Sequence, residues 1–179
     1  MRISHNYFEE HFMRQKFLDG MSRAATSVCV VTTDGPAGIN GMTVSAMTSV
    51  SADSLSPSLL ICLNKASLTA AMVIRNGVFC VNLLREDQSV LSDIFSGRTR
   101  APSTNKFDQI DYQQLSTGSP VINGVVVAFD CRIAQTVEYG THWILIGNVQ
   151  DIQLSPNQSP LIYANRCYSK TAPITQPHH

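Results

Sequence analysis

A mainly β protein with a few covering helices, built as a barrel or sandwich, is what the sequence predicts, and three observations predict it. Short β-branched or apolar runs recur between turn signals along the whole chain. Only two or three stretches carry helical periodicity. Neither GxGxxG nor GxxxxGK[ST] occurs, which excludes a Rossmann fingerprint and a P-loop. With 179 residues the chain suits a single domain, 1–179, large enough to bury an apolar core without disulfide or metal staples.

The elements follow in order. From Tyr7 to Ala25, the residues Phe8, Phe12, Leu18, Met21 and Ala25 recur at near-helical spacing. Ser27 to Thr33 is β-branched and reads as a strand, broken by Asp34-Gly35-Pro36. Met42 to Ser51 has strand propensity, no charge and many hydroxyls. Ser58 to Leu63 and Phe79 to Leu84 are short apolar strands, with a helix over Leu68–Arg75 between them. A further helix runs from about Asp87 to Ser96, with Val90, Leu91, Ile94 and Phe95 on one face and Gly97 as its stop. Arg98 to Ser119 has no clear period and reads as a long surface excursion, a type more often functional than idle. Val125–Val137 and His142–Ile152 form a hairpin around Glu138-Tyr139-Gly140. Leu161–Tyr168 is a last short element; residues 1–10 and 170–179 read as flexible tails, the second ending in a His pair given no function.

Composition narrows the function. Lys plus Arg number 13 and Asp plus Glu 13, and no basic block occurs, so nothing provides the field of a nucleic-acid binder. No apolar run reaches the roughly 18 residues of a membrane span, and Met1–His5 opens no signal peptide, so the expected location is cytoplasmic. Only 15% of residues are charged, which leaves room for a large oligomer interface. His5, His11, His142 and the two tail histidines are too few and too scattered for a metal centre, so no metal is expected. Cys29, Cys62, Cys80, Cys131 and Cys167 form no CxxC pair; four lie in strand-like runs and read as buried thiols of a reducing compartment.

Three segments carry candidate chemistry. If Met42–Ser51 is one strand, Thr43, Ser45, Met47 and Ser49 share a face, either as a solvated hydroxyl ladder or as the lining of a planar polar ligand. Asn64-Lys65-Ala66-Ser67 follows a strand and opens a helix. It suits either a solvated loop with a Ser67 cap or a phosphate, which Lys65 and free N–H groups would hold. His142 stands past a glycine turn beside the sole tryptophan, at a barrel rim or as a plain strand histidine.

Taken in order, GMTVSAMTSVS, ICLNKASLT, FCVNLL, DIFSG, GTHWILIGNV and PLIYANRCY resemble the short-chain flavin reductase family, whose fold is the Greek-key FMN-binding split β-barrel. The likeness runs from about Phe12 to Tyr168 and is strongest to the reductase components of two-component aromatic monooxygenases, the 4-hydroxyphenylacetate 3-monooxygenase type. It implies an NAD(P)H:flavin oxidoreductase that uses FMN or FAD with NADH or NADPH and hands reduced flavin to a separate oxygenase. It also implies a homodimer with the flavin near the interface. By position, Met42, Thr43, Val44, Ser45 and Ala46 would contact the flavin. Asn64, Lys65 and Ser67 would hold its phosphate, with Ser51 nearby, and Phe95 would border it. His142 would stand where the nicotinamide docks, as the candidate catalytic residue, with Tyr163 and Tyr168 close by. Two departures limit the transfer. Asp53-Ser54-Leu55-Ser56-Pro57 replaces the family's Pro-Pro pair, and Thr141 replaces the commoner Asp, so the orienting role of that Asp does not carry over.

A chain this short has no room for a separate nicotinamide domain, so both cofactors would share one barrel face. The cofactors carry such chemistry, and the protein supplies position and electrostatics. The alternatives are a flavin- or haem-binding split barrel without reductase activity, a pyridoxamine-phosphate-oxidase-like enzyme and a purely structural dimerisation domain. The second is disfavoured because the basic residues near the site are few, namely Lys65, Arg98 and Arg100.

Overall fold

The computed structural model describes residues 3–53, 56–99, 105–108 and 110–174, with the backbone alone for 3–10. Arg100, Pro102, Ser54, Leu55 and the terminal histidines lie outside the described residues. Seven antiparallel strands form the main sheet in the order β3(Asn40–Val44), β2(Cys29–Thr33), β6(Val78–Leu83), β9(Val127–Tyr139), β10(His142–Leu154), β5(Ser58–Asn64) and β4(Met47–Ser51). The two end strands are consecutive in the chain, joined through Ser45-Ala46. Cys62 N–H donates to Ala46 C=O at 3.3 Å, and β3 also contacts β5. The sheet therefore rolls up on itself. This bears out the mainly β reading with helical covers.

Side-chain alternation divides the sheet into two faces. Inside the roll lie Cys29, Val31, Val44, Leu59, Ile61, Leu63, Phe79, Val81, Cys131 and Leu145, plugged by Ala70 and Val73 of α2(Leu68–Asn76). Gly147 of β10 makes room there, since a Cβ on it would lie 2.5 Å from Phe79 Cζ. Outside lie Val28, Val30, Cys80, Leu84 and Ala128, covered by Phe95 of α3(Ser89–Ser96) and by Phe107, Val121 and Ile122. The outer face also buries polar groups. Asn82 Nδ2 donates to Thr32 Oγ1 and Pro120 C=O, and its Oδ1 accepts from Ile122 N–H at 2.8 Å. Asp130 accepts from the backbone N–H of Thr117 at 2.7 Å and from its hydroxyl. These bonds fasten the hairpin of β7(Tyr112–Gln114) and β8(Pro120–Ile122) to the barrel.

The third helix ends at the glycine its sequence predicts, and the second runs one residue past the stretch read as helix, to a glycine. Ser67 caps α2 by accepting from Thr69 N–H, and Gly77 and Gly97 close α2 and α3 at φ 72° and 77°. Cys29, Cys80 and Cys131 are buried and Cys62 is half-buried; all four lie in strands, whereas Cys167 is exposed, and all five are free thiols.

Several expectations need correction. Met42–Ser51 is two strands that pair with different partners, β3 with β2 and β4 with β5, so the alternation of faces across Ser45 is lost. Neither Gly nor Pro marks that break; barrel closure imposes it. Leu161–Tyr168 is a hairpin, β11(Leu161–Ala164) and β12(Cys167–Lys170), turned by Asn165 and Arg166 at positive φ. It pairs with the short β1(Thr26–Ser27). The Arg98–Ser119 excursion contains β7 and drives Phe107 into the core. Val90 points to solvent at 64% exposure, and buried Ser92 takes its place on the packed face of α3. The first helix, α1(Ile3–Arg23), begins inside the stretch read as a tail, and its described apolar side chains are largely exposed.

Candidate functional site

β3 is an end strand of the sheet, so one row of its backbone N–H and C=O groups has no strand partner. Gly41 C=O belongs to that row, because Lys106 Nζ and Thr69 Oγ1 reach it at 3.3 and 3.4 Å. In an antiparallel pair, every second residue turns both backbone groups to the same side. The N–H and C=O of Thr43 therefore face the same open edge. The Phe95 ring lies against Gly41, where a Cβ would come within 2.8 Å of it.

Three depressions adjoin along this strand. One, of about 190 Å³, lies between β3 and α3 and is lined by Thr43, Val44, Ser45, Arg98, Tyr163 and Tyr168. The second, of about 450 Å³, is bounded by Met42, Asn64, Ser67, Thr69, Phe95 and Lys106. The third, of about 230 Å³, is lined by Met42 to Ala46 with Cys62, Asn64 and His142. Thr43 borders all three, so together they form one elongated cleft on the open edge of β3.

The two ends of the cleft differ. At the first depression, Arg98 donates to the Tyr163 and Tyr168 hydroxyls at 3.2 and 3.4 Å and lies 3.6 Å from Asp93. The bond to Tyr163 raises the guanidinium pKa, and burial raises that of the Tyr168 hydroxyl, which donates to Asp93 at 2.7 Å and lies 2.9 Å from the Ser92 hydroxyl. The two tyrosines are cross-strand partners whose rings meet edge to face at 5.5 Å. At the second depression, Lys106 donates to Gly41 and Phe95 C=O, its ammonium 5.6 Å from the Phe95 ring centre. Desolvation lowers its pKa. His142 pairs across the ladder with Asn64, and its Nδ1 lies 2.9 Å from Thr141 Oγ1, so Thr141 contacts the ring where an Asp is commoner.

Eleven of the expected residues thus meet on this cleft: Met42, Thr43, Val44, Ser45, Ala46, Asn64, Ser67, Phe95, His142, Tyr163 and Tyr168. Two do not. Ser51 pairs with Ser58 at the far end of β4. Lys65 turns onto the hairpin, forms an ion pair with Glu138 and stands 5.9 Å from the Trp143 ring centre. Lys106, Ser92, Thr69 and Cys62 were not anticipated. The Lys106-Phe107 step carried one signal, an aromatic anchor within an otherwise polar excursion.

A family model described as flavin reductase like domain matches residues 21–172. The chain belongs to the flavin reductase like family. An FMN reductase (NADH) RutF of Ancylobacter novellus is 45% identical over 159 residues, covering 89% of this chain and 86% of that one. The nitrilotriacetate monooxygenase component B structure from Mycobacterium thermoresistibile superposes with a TM-score of 0.83 at 27% identity, over 95% of this chain and 93% of the other. The NADH:FAD oxidoreductase SgcE6 of Streptomyces globisporus C-1027 gives 0.81 at 27% identity, over 89% and 94%. Flavin reductases of this family thus share the split barrel seen here. Among the described residues, no helix is long and apolar enough to cross a membrane, and no His/Cys/Asp/Glu cluster could hold a metal.

Proposed function

We propose that the chain is an NADH-dependent FMN reductase that supplies reduced flavin to a separate oxygenase. The observation that carries this is the single elongated cleft on the open edge of β3, which brings Lys106 and Phe95 into one depression, Arg98 with Tyr163 and Tyr168 into another, and His142 into a third that shares Asn64 with the Lys106 depression. Its dimensions and donors fit a planar heterocycle with an anionic tail. Held there, a flavin would supply the hydride-accepting and electron-carrying chemistry. The backbone groups of Thr43 hold the polar edge of the ring, and Phe95 closes off water beneath it. His142 holds the nicotinamide carboxamide and is not an obligatory acid. FMN and NADH are chosen because the relative at 45% identity is named for both. The oxygenase partner is supported by the fold neighbour named as one component of a monooxygenase.

The acting form is a homodimer. Phe12, Met13, Phe17 and Met21 on α1 are 61, 66, 64 and 51% exposed, and most helical stability in a protein comes from packing an apolar face. A second copy of the chain supplies that cover, and light scattering at micromolar concentration showing a monomer would count against it.

The decisive test mixes protein, FMN and NADH and follows NADH absorbance. Oxidation that saturates with FMN is expected; none with either NADH or NADPH would favour a binding-only protein. His142→Ala is expected to raise KM for NADH about tenfold while changing FMN affinity less than twofold. Unchanged NADH kinetics would remove His142 from the mechanism.

A further inference from the structure

We propose that Lys106 is the anion-reading residue of the cleft and makes it select a flavin bearing a terminal phosphate over one without. This rests on the flavin reading above.

Two lysines could serve that end of the cleft, and their surroundings decide between them. Lys65 precedes Ser67 in sequence, yet its ammonium is ion-paired with Glu138 on the β9–β10 hairpin and borders none of the three depressions. Lys106 comes from a distant segment, but it shares the second depression with Asn64, Ser67 and Thr69. Its ammonium is half-buried between Gly41 C=O and Phe95 C=O, and no carboxylate pairs with it among the described residues. An ammonium has three donors, and two carbonyls use two of them. Carbonyl dipoles ease the desolvation of a charge but do not neutralise it, so the site lacks one acceptor and one negative charge. An anionic oxygen in the adjoining depression supplies both. The Ser67 hydroxyl and the Asn64 amide line the same space and suit the remaining oxygens of a phosphate, whereas the Thr69 hydroxyl donates to Asn40 Oδ1. Lys106 is also tied to Gly41 and Phe95 directly, so anion binding there braces the contact of the Phe95 ring with β3.

The test is equilibrium binding of FMN and of riboflavin, read by quenching of flavin fluorescence, to the wild-type protein and to Lys106→Met and Lys65→Met. Lys106→Met is expected to weaken FMN tenfold or more and riboflavin less than twofold, and Lys65→Met to change their ratio less than twofold. If Lys106→Met weakens both flavins equally or neither, or if Lys65→Met produces the larger change in the ratio, the proposal fails. If Lys106→Met does not fold, the wild-type protein still decides. Inorganic phosphate should compete with FMN but not with riboflavin, and equal indifference of the two flavins to phosphate overturns the proposal. A wild-type protein that binds neither flavin overturns the flavin reading itself, an outcome distinct from loss of selectivity.

Discussion

The two faces of the barrel sheet solve different problems with the same strands. The inner face is apolar apart from Thr33, whose hydroxyl donates to Val78 C=O, and it closes over Phe79, with Gly147 flat beneath the ring. The outer face repeats the device with Phe95 over Gly41, but it also buries Thr32, Asn82 and Asp130. Every buried side-chain polar atom among the described residues has a partner. The inner face has only to exclude water. The outer face must hold one hairpin firmly and leave the neighbouring strand open to a ligand. Directional hydrogen bonds allow this, because they fix a covering element at chosen points, whereas apolar burial rewards coverage everywhere.

The comparison can be broken at four places. Gly147→Ala forces a methyl into Phe79 and Cys131 Cβ, which the closed interior cannot relieve; a loss of about 3 kcal/mol is expected in urea unfolding. Asn82→Ala strands the buried Ile122 N–H on the outer face and should cost about 2 kcal/mol, with hydrogen exchange rising first in β8. Gly41→Ala meets the same kind of ring contact beside an open cleft into which Phe95 can shift, so the stability loss should be nearer 1 kcal/mol. The displaced ring should cost FMN affinity about tenfold, measured by titration. Equal stability losses at the two glycines would mean that the faces do not differ as described.

The smallest effect concerns pH. Burial raises the Asp130 carboxyl above its usual 3.8. A raised acid holds its proton longer in the folded state, so its contribution to stability is full below the unfolded value. That contribution fades as pH rises through the folded one. Asp130→Asn, which stays neutral, should therefore gain on the wild type across that window, as seen in denaturation at a series of pH values. A gap that does not change with pH would show that the Thr117 bonds offset the burial.

Local chemistry determined much of this protein in advance. The β-branched and apolar runs at Cys29–Thr33 and Val78–Leu83, the Ser67 cap, the Gly97 stop and the turn at Gly140 all depend on neighbours within a few residues, and they stand where their sequences place them. Part of the cleft was legible too, since Met42 to Ala46 are contiguous and Asn64 and Ser67 follow one strand within a few residues. Tertiary structure alone decided three things. The break at Ser45-Ala46 has no local signal, because it arises where a rolling sheet makes one chain segment change partners. The choice of Lys106 over Lys65 depends on Glu138, which is 73 residues from Lys65 and claims its charge first. The place of Phe95 depends on Gly41, whose missing side chain has meaning only once α3 is packed across β3. Each is a pairing between distant segments, and spacing along the chain carries no record of which distant groups will meet.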